Sequence, residues 1–155
     1  YIHDGKIKSA IDLCQRYDSP VARLVEKGIE RIGRPLQDIQ TAVENMGNVE
    51  VARLEKGLPM LATIAGGAPM IGFLGTVTGM IEAFFRMSTA GNNIDITLLS
   101  GGIYEAMVTT VGGLFVGIIA YFGYNFLTSQ ISNLVFKMES TTIEFIDMLH
   151  EPSDK

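Results

Sequence analysis

The sequence predicts an all-α membrane protein, a long transmembrane helical hairpin with a cytoplasmic helical extension. Three observations predict it. First, of 12 Lys and Arg and 17 Asp and Glu side chains, only Glu82, Arg86, Asp95 and Glu105 fall among the 80 residues 57–136. Second, two runs in that block, 57–81 and 106–136, carry no charge. Each exceeds the roughly 20 residues a helix needs to cross about 30 Å of hydrocarbon. Third, nine of the 12 basic residues precede the first run, the kind of asymmetry that orients a chain in a membrane. The totals alone, 155 residues at 47% hydrophobic, 19% charged and net charge −5, would suit an ordinary soluble domain. The sorting of charge by sequence block excludes that reading.

Residues 1–58 are predicted as a cytoplasmic helical segment, charged throughout and without the apolar run of a signal peptide. Within 5–18, Ile7, Ile11 and Cys14 recur at helical spacing. Ser19-Pro20 reads as an N-cap followed by proline at the first helical position. That second helix is expected to run to about Ile32 and stop at Gly33. Pro35 starts a third, with Leu36, Ile39, Val43 and Met46 on one stripe. Leu58-Pro59 marks the start of the first span or a kink in it.

The first transmembrane helix is predicted over 59–86, a periplasmic loop over 87–95 and the second transmembrane helix over 96–130. The loop MSTAGNNID holds no Lys or Arg, so the basic-rich end stays in the cytoplasm and the loop faces the other side. The free Cys14 agrees with a reducing compartment. The near-uncharged stretch 96–136 would make a helix of roughly 60 Å, about twice a bilayer core, so one end must project into water. Residues 131–155 form a cytoplasmic tail. Ile131, Leu134, Val135, Met138, Thr142, Phe145 and Leu149 continue the three-four spacing. That stripe suits packing on the 35–57 helix.

Much chemistry is excluded by composition. One cysteine, Cys14, and two distant histidines, His3 and His150, give no disulfide framework and no metal-ligand spacing. The acidic balance argues against nucleic acid. Gly66-Gly67 and Gly101-Gly102 lack the setting and the lysine of a phosphate loop. No nucleophile-base set is visible, so neither enzymatic activity nor a cofactor is expected.

The spans carry three features of interest. Thirteen of 17 glycines lie in 57–136, with small-xxx-small frames at Gly75-Gly79 and Gly113-Gly117. Such frames serve close packing, either between subunits or within this hairpin. Glu105 is an ionisable group in an apolar helix, which costs roughly 2.5–3.5 kcal/mol on insertion scales. It faces protein or a water-filled path, or it lies near enough the interface to snorkel. Thr76 and Thr110 sit at similar distances from the loop centre at Gly91–Asn92, hence at similar depth in an antiparallel hairpin. They line a polar track for protons or ions, or each bonds the carbonyl one turn back. Glu82 and Arg86 are spaced for an exposed helical ion pair, and Asp95 suits an N-cap of the second span.

Two stretches then carry a resemblance. Ala68-Pro69-Met70-Ile71-Gly72-Phe73-Leu74-Gly75-Thr76-Val77-Thr78-Gly79-Met80 is similar to the AP-x-x-GLLGTV-x-G-M stretch of the ExbB/TolQ/MotA proton-channel proteins. Gly102-Ile103-Tyr104-Glu105-Ala106-Met107-Val108-Thr109-Thr110-Val111-Gly112-Gly113-Leu114 is similar to that family's G-I-x-EAL-x-x-T-x-x-GL stretch. The likeness is strongest over about 58–136, and the upstream Pro20-Val21-Ala22-Arg23 and Leu54-Glu55-Lys56-Gly57-Leu58 resemble ExbB-like members most, with TolQ next.

The resemblance implies a subunit of a motor driven by the proton-motive force in the bacterial inner membrane. It implies a homo-oligomer, a pentamer, around a lumen that holds helices of an ExbD-type single-span partner. A TonB-type protein would carry the motion to the outer membrane; in the TolQ branch the Tol-Pal envelope system would use it. By motif, Thr76 and Thr110 would be lumen-lining hydroxyls beside a carboxylate of the partner. Glu105 would be the family's intramembrane glutamate, in proton relay, ring packing or charge balance. ExbB-like proteins carry one more transmembrane helix ahead of the cytoplasmic segment, absent from this chain, which starts at Tyr1; it is expected to have been cleaved, deleted or not recorded. A passive scaffold that works through its glycine faces is the alternative class. A flagellar stator fits less well, because that branch has a larger cytoplasmic insertion.

Overall fold

The computed structural model describes residues 6–91 and 96–150. Five helices make it up: α1 (Ile7–Arg16), α2 (Pro20–Ile29), α3 (Leu36–Leu54), α4 (Leu58–Thr89) and α5 (Ile96–His150). No strand occurs among the described residues. The protein is all-α, and two of its helical stretches are long and apolar enough to cross a membrane. The chain divides into two compact units, Tyr1–Lys56 with Ser129–Lys155, and Gly57–Thr128. Asp95, proposed above as a cap, lies outside the described residues.

Local chemistry sets the helix starts of the first unit. Ser19 is extended, and its Oγ accepts from the Ala22 N–H at 3.1 Å, with Pro20 in the first turn of α2. Pro35 precedes α3. Helix α2 ends at Ile29, three residues short of the expected Ile32. The chain from there to Gly33 holds only short-range turns, Arg31 N–H to Gly28 O and Ile32 N–H to Ile29 O, both 3.1 Å. Gly33 then takes φ 98°, a left-handed conformation that disfavours any side chain.

The core of this unit joins α1, α2, α3 and the last turns of α5: Ala10, Leu24, Ile29, Ile39, Val43, Met138 and Phe145 are all buried. The tail stripe therefore packs against α3 as its spacing predicts. Gly28 permits the closest approach. A Cβ there would stand 2.8 Å from Phe145 Cζ and 3.0 Å from Val43 Cγ2, so only glycine lets the phenyl ring lie against α2.

One charged residue is also buried here. Glu50 is 1% exposed, accepting from Arg23 Nη2 at 2.6 Å and Arg53 Nη1 at 2.8 Å. Arg23 also pairs with the exposed Asp18. The hydrogen bond from Arg23 holds the Glu50 carboxyl below the usual carboxylate range, against the opposing effect of its burial. The same bond raises the Arg23 guanidinium.

The second unit is α4 packed antiparallel on the first part of α5. Gly57 at φ 95° breaks the chain ahead of α4, and Pro59 falls in its first turn. Large apolar side chains point outward: Met70, Ile71, Phe115 and Phe122 are each more than 60% exposed. The seam between the helices is lined by small residues. Gly72 lies against Thr109 O and the Cα atoms of Gly113 and Thr110, Gly79 against Ala106, and Gly102 against Ala83. Pro69 sits inside α4 and cannot donate to the Ala65 carbonyl. Gly117 rests on both, since a Cβ there would meet Pro69 Cγ at 2.5 Å and Ala65 O at 3.2 Å.

Candidate functional site

Polar side chains are scarce in the hairpin, and most satisfy themselves locally. Thr63 donates to Pro59 O at 2.8 Å and Thr78 to Leu74 O at 2.9 Å, each one turn back. In a low-dielectric setting this is the default for a helical hydroxyl, because its own helix offers the nearest acceptor.

Thr76 and Thr110 differ. Thr76 Oγ1 donates across the seam to Ala106 O at 3.1 Å, with its own-helix carbonyl, Gly72 O, farther away at 3.4 Å. Thr110 Oγ1 donates the other way, to Gly72 O at 3.1 Å. The two hydroxyls also touch each other, and since each carries one proton, the bond between them forms when one hydroxyl turns away from its carbonyl. The pair, expected at matching depth from the loop count, thus faces across the hairpin, half-buried, with each hydroxyl capping a carbonyl of the opposite helix. Glycine makes the approach possible: a Cβ on Gly72 would lie 3.1 Å from the Thr110 Cα.

The four glycines of the small-xxx-small frames all belong to this seam. Added Cβ atoms would meet Thr109 Cβ from Gly75 at 2.9 Å, Ala106 Cβ from Gly79 at 2.8 Å, Gly72 Cα from Gly113 at 2.8 Å and Pro69 from Gly117. Their neighbours in sequence differ: Gly66, Gly67, Gly101 and Gly112 meet nothing within 4 Å. The first set closes the hairpin. The second leaves its outer faces flat.

Glu105 does not join the seam. It is exposed within the chain and lines a groove of about 450 Å³ together with Thr78, Glu82, Arg86 and Thr109. Glu82 and Arg86 form the expected i,i+4 pair at 2.5 Å, each 63% exposed. A second groove of about 400 Å³ continues along the hairpin past Gly72, Gly112 and Val116. Gly75 and Thr109 line both grooves.

Thr109 was not singled out in the sequence. Its Oγ1 donates to Ala106 O at 2.7 Å and lies 3.4 Å from Gly72 O, the two carbonyls that Thr76 and Thr110 also use. The available signal is its spacing of four residues from Glu105, which puts both on one helix face. No group of three or more His, Cys, Asp or Glu side chains able to hold a metal occurs among the described residues. The hairpin thus offers a cluster of hydroxyls and carbonyls next to a groove that carries the Glu82 and Glu105 carboxylates, a donor-acceptor set suited to protons or water.

Residues 16–140 match the family described as the MotA/TolQ/ExbB proton channel family. A biopolymer transport protein ExbB homolog of Methanothermobacter thermautotrophicus is 32% identical over 80% of this chain and 43% of its own length. The Tol-Pal system protein TolQ of Haemophilus influenzae is 36% identical over 66% of this chain and 45% of its own. The biopolymer transport protein ExbB of Xanthomonas campestris is 35% identical over 59% and 36%. The chain thus spans less than half the length of each of these three relatives.

Proposed function

The chain belongs to the MotA/TolQ/ExbB proton channel family, and from that premise we propose that it is a subunit of an ExbB–ExbD-type inner-membrane motor driven by the proton-motive force. In this reading several copies, five by resemblance, form a ring. Helices of an ExbD-type partner occupy its lumen, and a TonB-type protein receives the motion. Residues 1–58 and the tail lie in the cytoplasm, with 87–95 on the periplasmic side. The bilayer surrounds the outward apolar side chains, and no cofactor takes part.

The observation that carries the reading is the reciprocal bonding of Thr76 and Thr110 across the seam. Interhelical hydroxyl bonds help to close the hairpin, and here they also bring two hydroxyls into contact with each other. A hydroxyl can accept a proton on a lone pair while releasing its own. Two in contact, beside a carboxylate supplied by a partner, therefore pass charge without leaving an ion in hydrocarbon. Glu105, on the groove, adds an ionisable group at a depth where such groups are expensive and mark ion paths.

The test is proton flux through the complex, ring and single-span partner together, in liposomes with an imposed pH gradient. Thr76→Val, Thr110→Val and Glu105→Ala are expected to cut the flux while the complex still assembles. Unchanged flux in all three would sink the reading. A passive scaffold predicts instead that Glu105→Gln does nothing.

The TolQ-type role in the Tol-Pal system is the second reading, favoured by the 36% identity to a TolQ protein. Complementation separates the two. Restored TonB-dependent uptake marks the first role, and restored envelope integrity without uptake marks the second.

A further inference from the structure

We propose that Thr109 is a third hydroxyl of the polar track, the one that joins the Glu105 groove to the second groove along the hairpin. The inference rests on the proton-pathway reading above and adds a residue to it. Thr109 follows Glu105 by one helical turn and shares its face. Both line the groove of about 450 Å³. In the other direction Thr109 reaches the seam, bonding Ala106 O at 2.7 Å and standing 3.4 Å from Gly72 O. It therefore borders both the groove and the cluster of hydroxyls.

The donor count gives the cluster its mobility. Thr76, Thr109 and Thr110 bring three O–H protons to two carbonyls, Gly72 O and Ala106 O. Each carbonyl lies inside a helix, and one of its two lone pairs faces the helix N–H four residues on. Three donors thus compete for two remaining acceptor sites. The third proton must point at another hydroxyl or into the groove, so the cluster has several donor arrangements of comparable bonding. A proton arriving on Thr109 Oγ1 from water in the Glu105 groove is matched by release of the Thr109 hydroxyl proton to water in the second groove, which Thr109 also lines. Only O–H bonds form and break, and the residue ends neutral. Gly75 makes room for this: with a Cβ it would stand 2.9 Å from Thr109 Cβ.

A purely local role, in which Thr109 only satisfies its own helix, would leave flux indifferent to the hydroxyl. The experiment is proton flux in liposomes carrying the intact complex with Thr109→Val, which keeps the shape and removes the hydroxyl, and Thr109→Ser, which keeps the hydroxyl. The valine variant is expected to lose flux about tenfold, the serine variant to stay within about twofold of the parent. If Thr109→Val leaves flux unchanged while Thr76→Val and Thr110→Val reduce it, Thr109 is outside the track and the wider reading stands. If none of the three matters, the wider reading fails. Equal losses in the valine and serine variants would assign Thr109 to packing and overturn the proposal. Should Thr109→Val fail to assemble, Thr109→Ala removes the same hydroxyl without added bulk and is read the same way.

Discussion

The two units of this chain sort their side chains in opposite ways. In the charged unit, large residues such as Leu24, Met138 and Phe145 are inside and charges lie mostly outside. In the hairpin, glycine and alanine are inside, at Gly72, Ala83, Ala106 and Ala120, and phenylalanine, methionine and isoleucine are outside. Water drives the first arrangement, since burying apolar area stabilises by about 25 cal/mol per Å². Lipid offers no such gain, so the hairpin closes through backbone approach and interhelical hydrogen bonds. Buried polarity differs in kind as well. The charged unit encloses a full ionic network around Glu50. The hairpin seam holds only neutral hydroxyls, and the carboxylates of Glu82 and Glu105 stay on a groove.

The comparison breaks most severely at Glu50. Glu50→Ala leaves Arg23, 30% exposed and still paired with Asp18, without its buried carboxylate, which is expected to cost about 3 kcal/mol. Chemical denaturation of the detergent-solubilised protein, followed by helicity, measures it. The same group gives a pH dependence. Its folded-state affinity for protons is depressed, so its contribution is fully present above the unfolded value, about 4.3. The contribution is lost as pH falls through the lower folded value. Thermal melts from pH 6 downward are expected to show a slope that Glu50→Gln removes.

Next in size is a matched pair of neighbours in the hairpin. Gly113→Leu drives a side chain into Ala68 O and Gly72, which are backbone and cannot yield. The expected cost is about 1–3 kcal/mol or more, read as loss of folded hairpin by protease resistance. Gly112→Leu meets open space in the chain and is expected to leave the hairpin intact. A large assembly defect from Gly112→Leu with an intact hairpin would sharpen the contrast, by placing a neighbouring subunit on the flat face.

The smallest effect tests the ion pairs. Glu82 and Arg86 have the same chemistry as Glu50 and Arg23 but are 63% exposed. Glu82→Gln is expected to cost about 0.2–0.5 kcal/mol in stability, within reach of a careful denaturation series.

How far the sequence could be read follows the range of the interactions involved. The Ser19-Pro20 cap, the start after Pro35 and the start at Leu58-Pro59 are local rules, and the helices begin where those rules put them. Helix α2 ends ahead of Gly33, the stop signal in its sequence, because helical bonding has already loosened at Gly28–Ile32. The matched depth of Thr76 and Thr110 followed from counting along an antiparallel hairpin. That they bond across it, rather than one turn back, depends on how closely Gly72 lets the helices approach, which no single-helix rule contains. The place of Thr109 is hidden in the sequence for a related reason. Beside Thr110 it belongs to another face of the helix, and only the three-dimensional seam shows its oxygen reaching the same two carbonyls. The burial of Glu50 was invisible for want of any signal that two arginines 23 and 53 would converge on it.

Pro69 leaves one rung missing from the hydrogen-bond ladder of α4 at Ala65. A rod with one missing rung has uneven bending stiffness, and flexure concentrates where the rung is lost. Gly117 lies against that spot without a side chain. Mechanical load on the hairpin is therefore absorbed first as compliance at Ala65–Pro69, seven residues from the Thr76 hydroxyl, while the ladder on either side keeps its form.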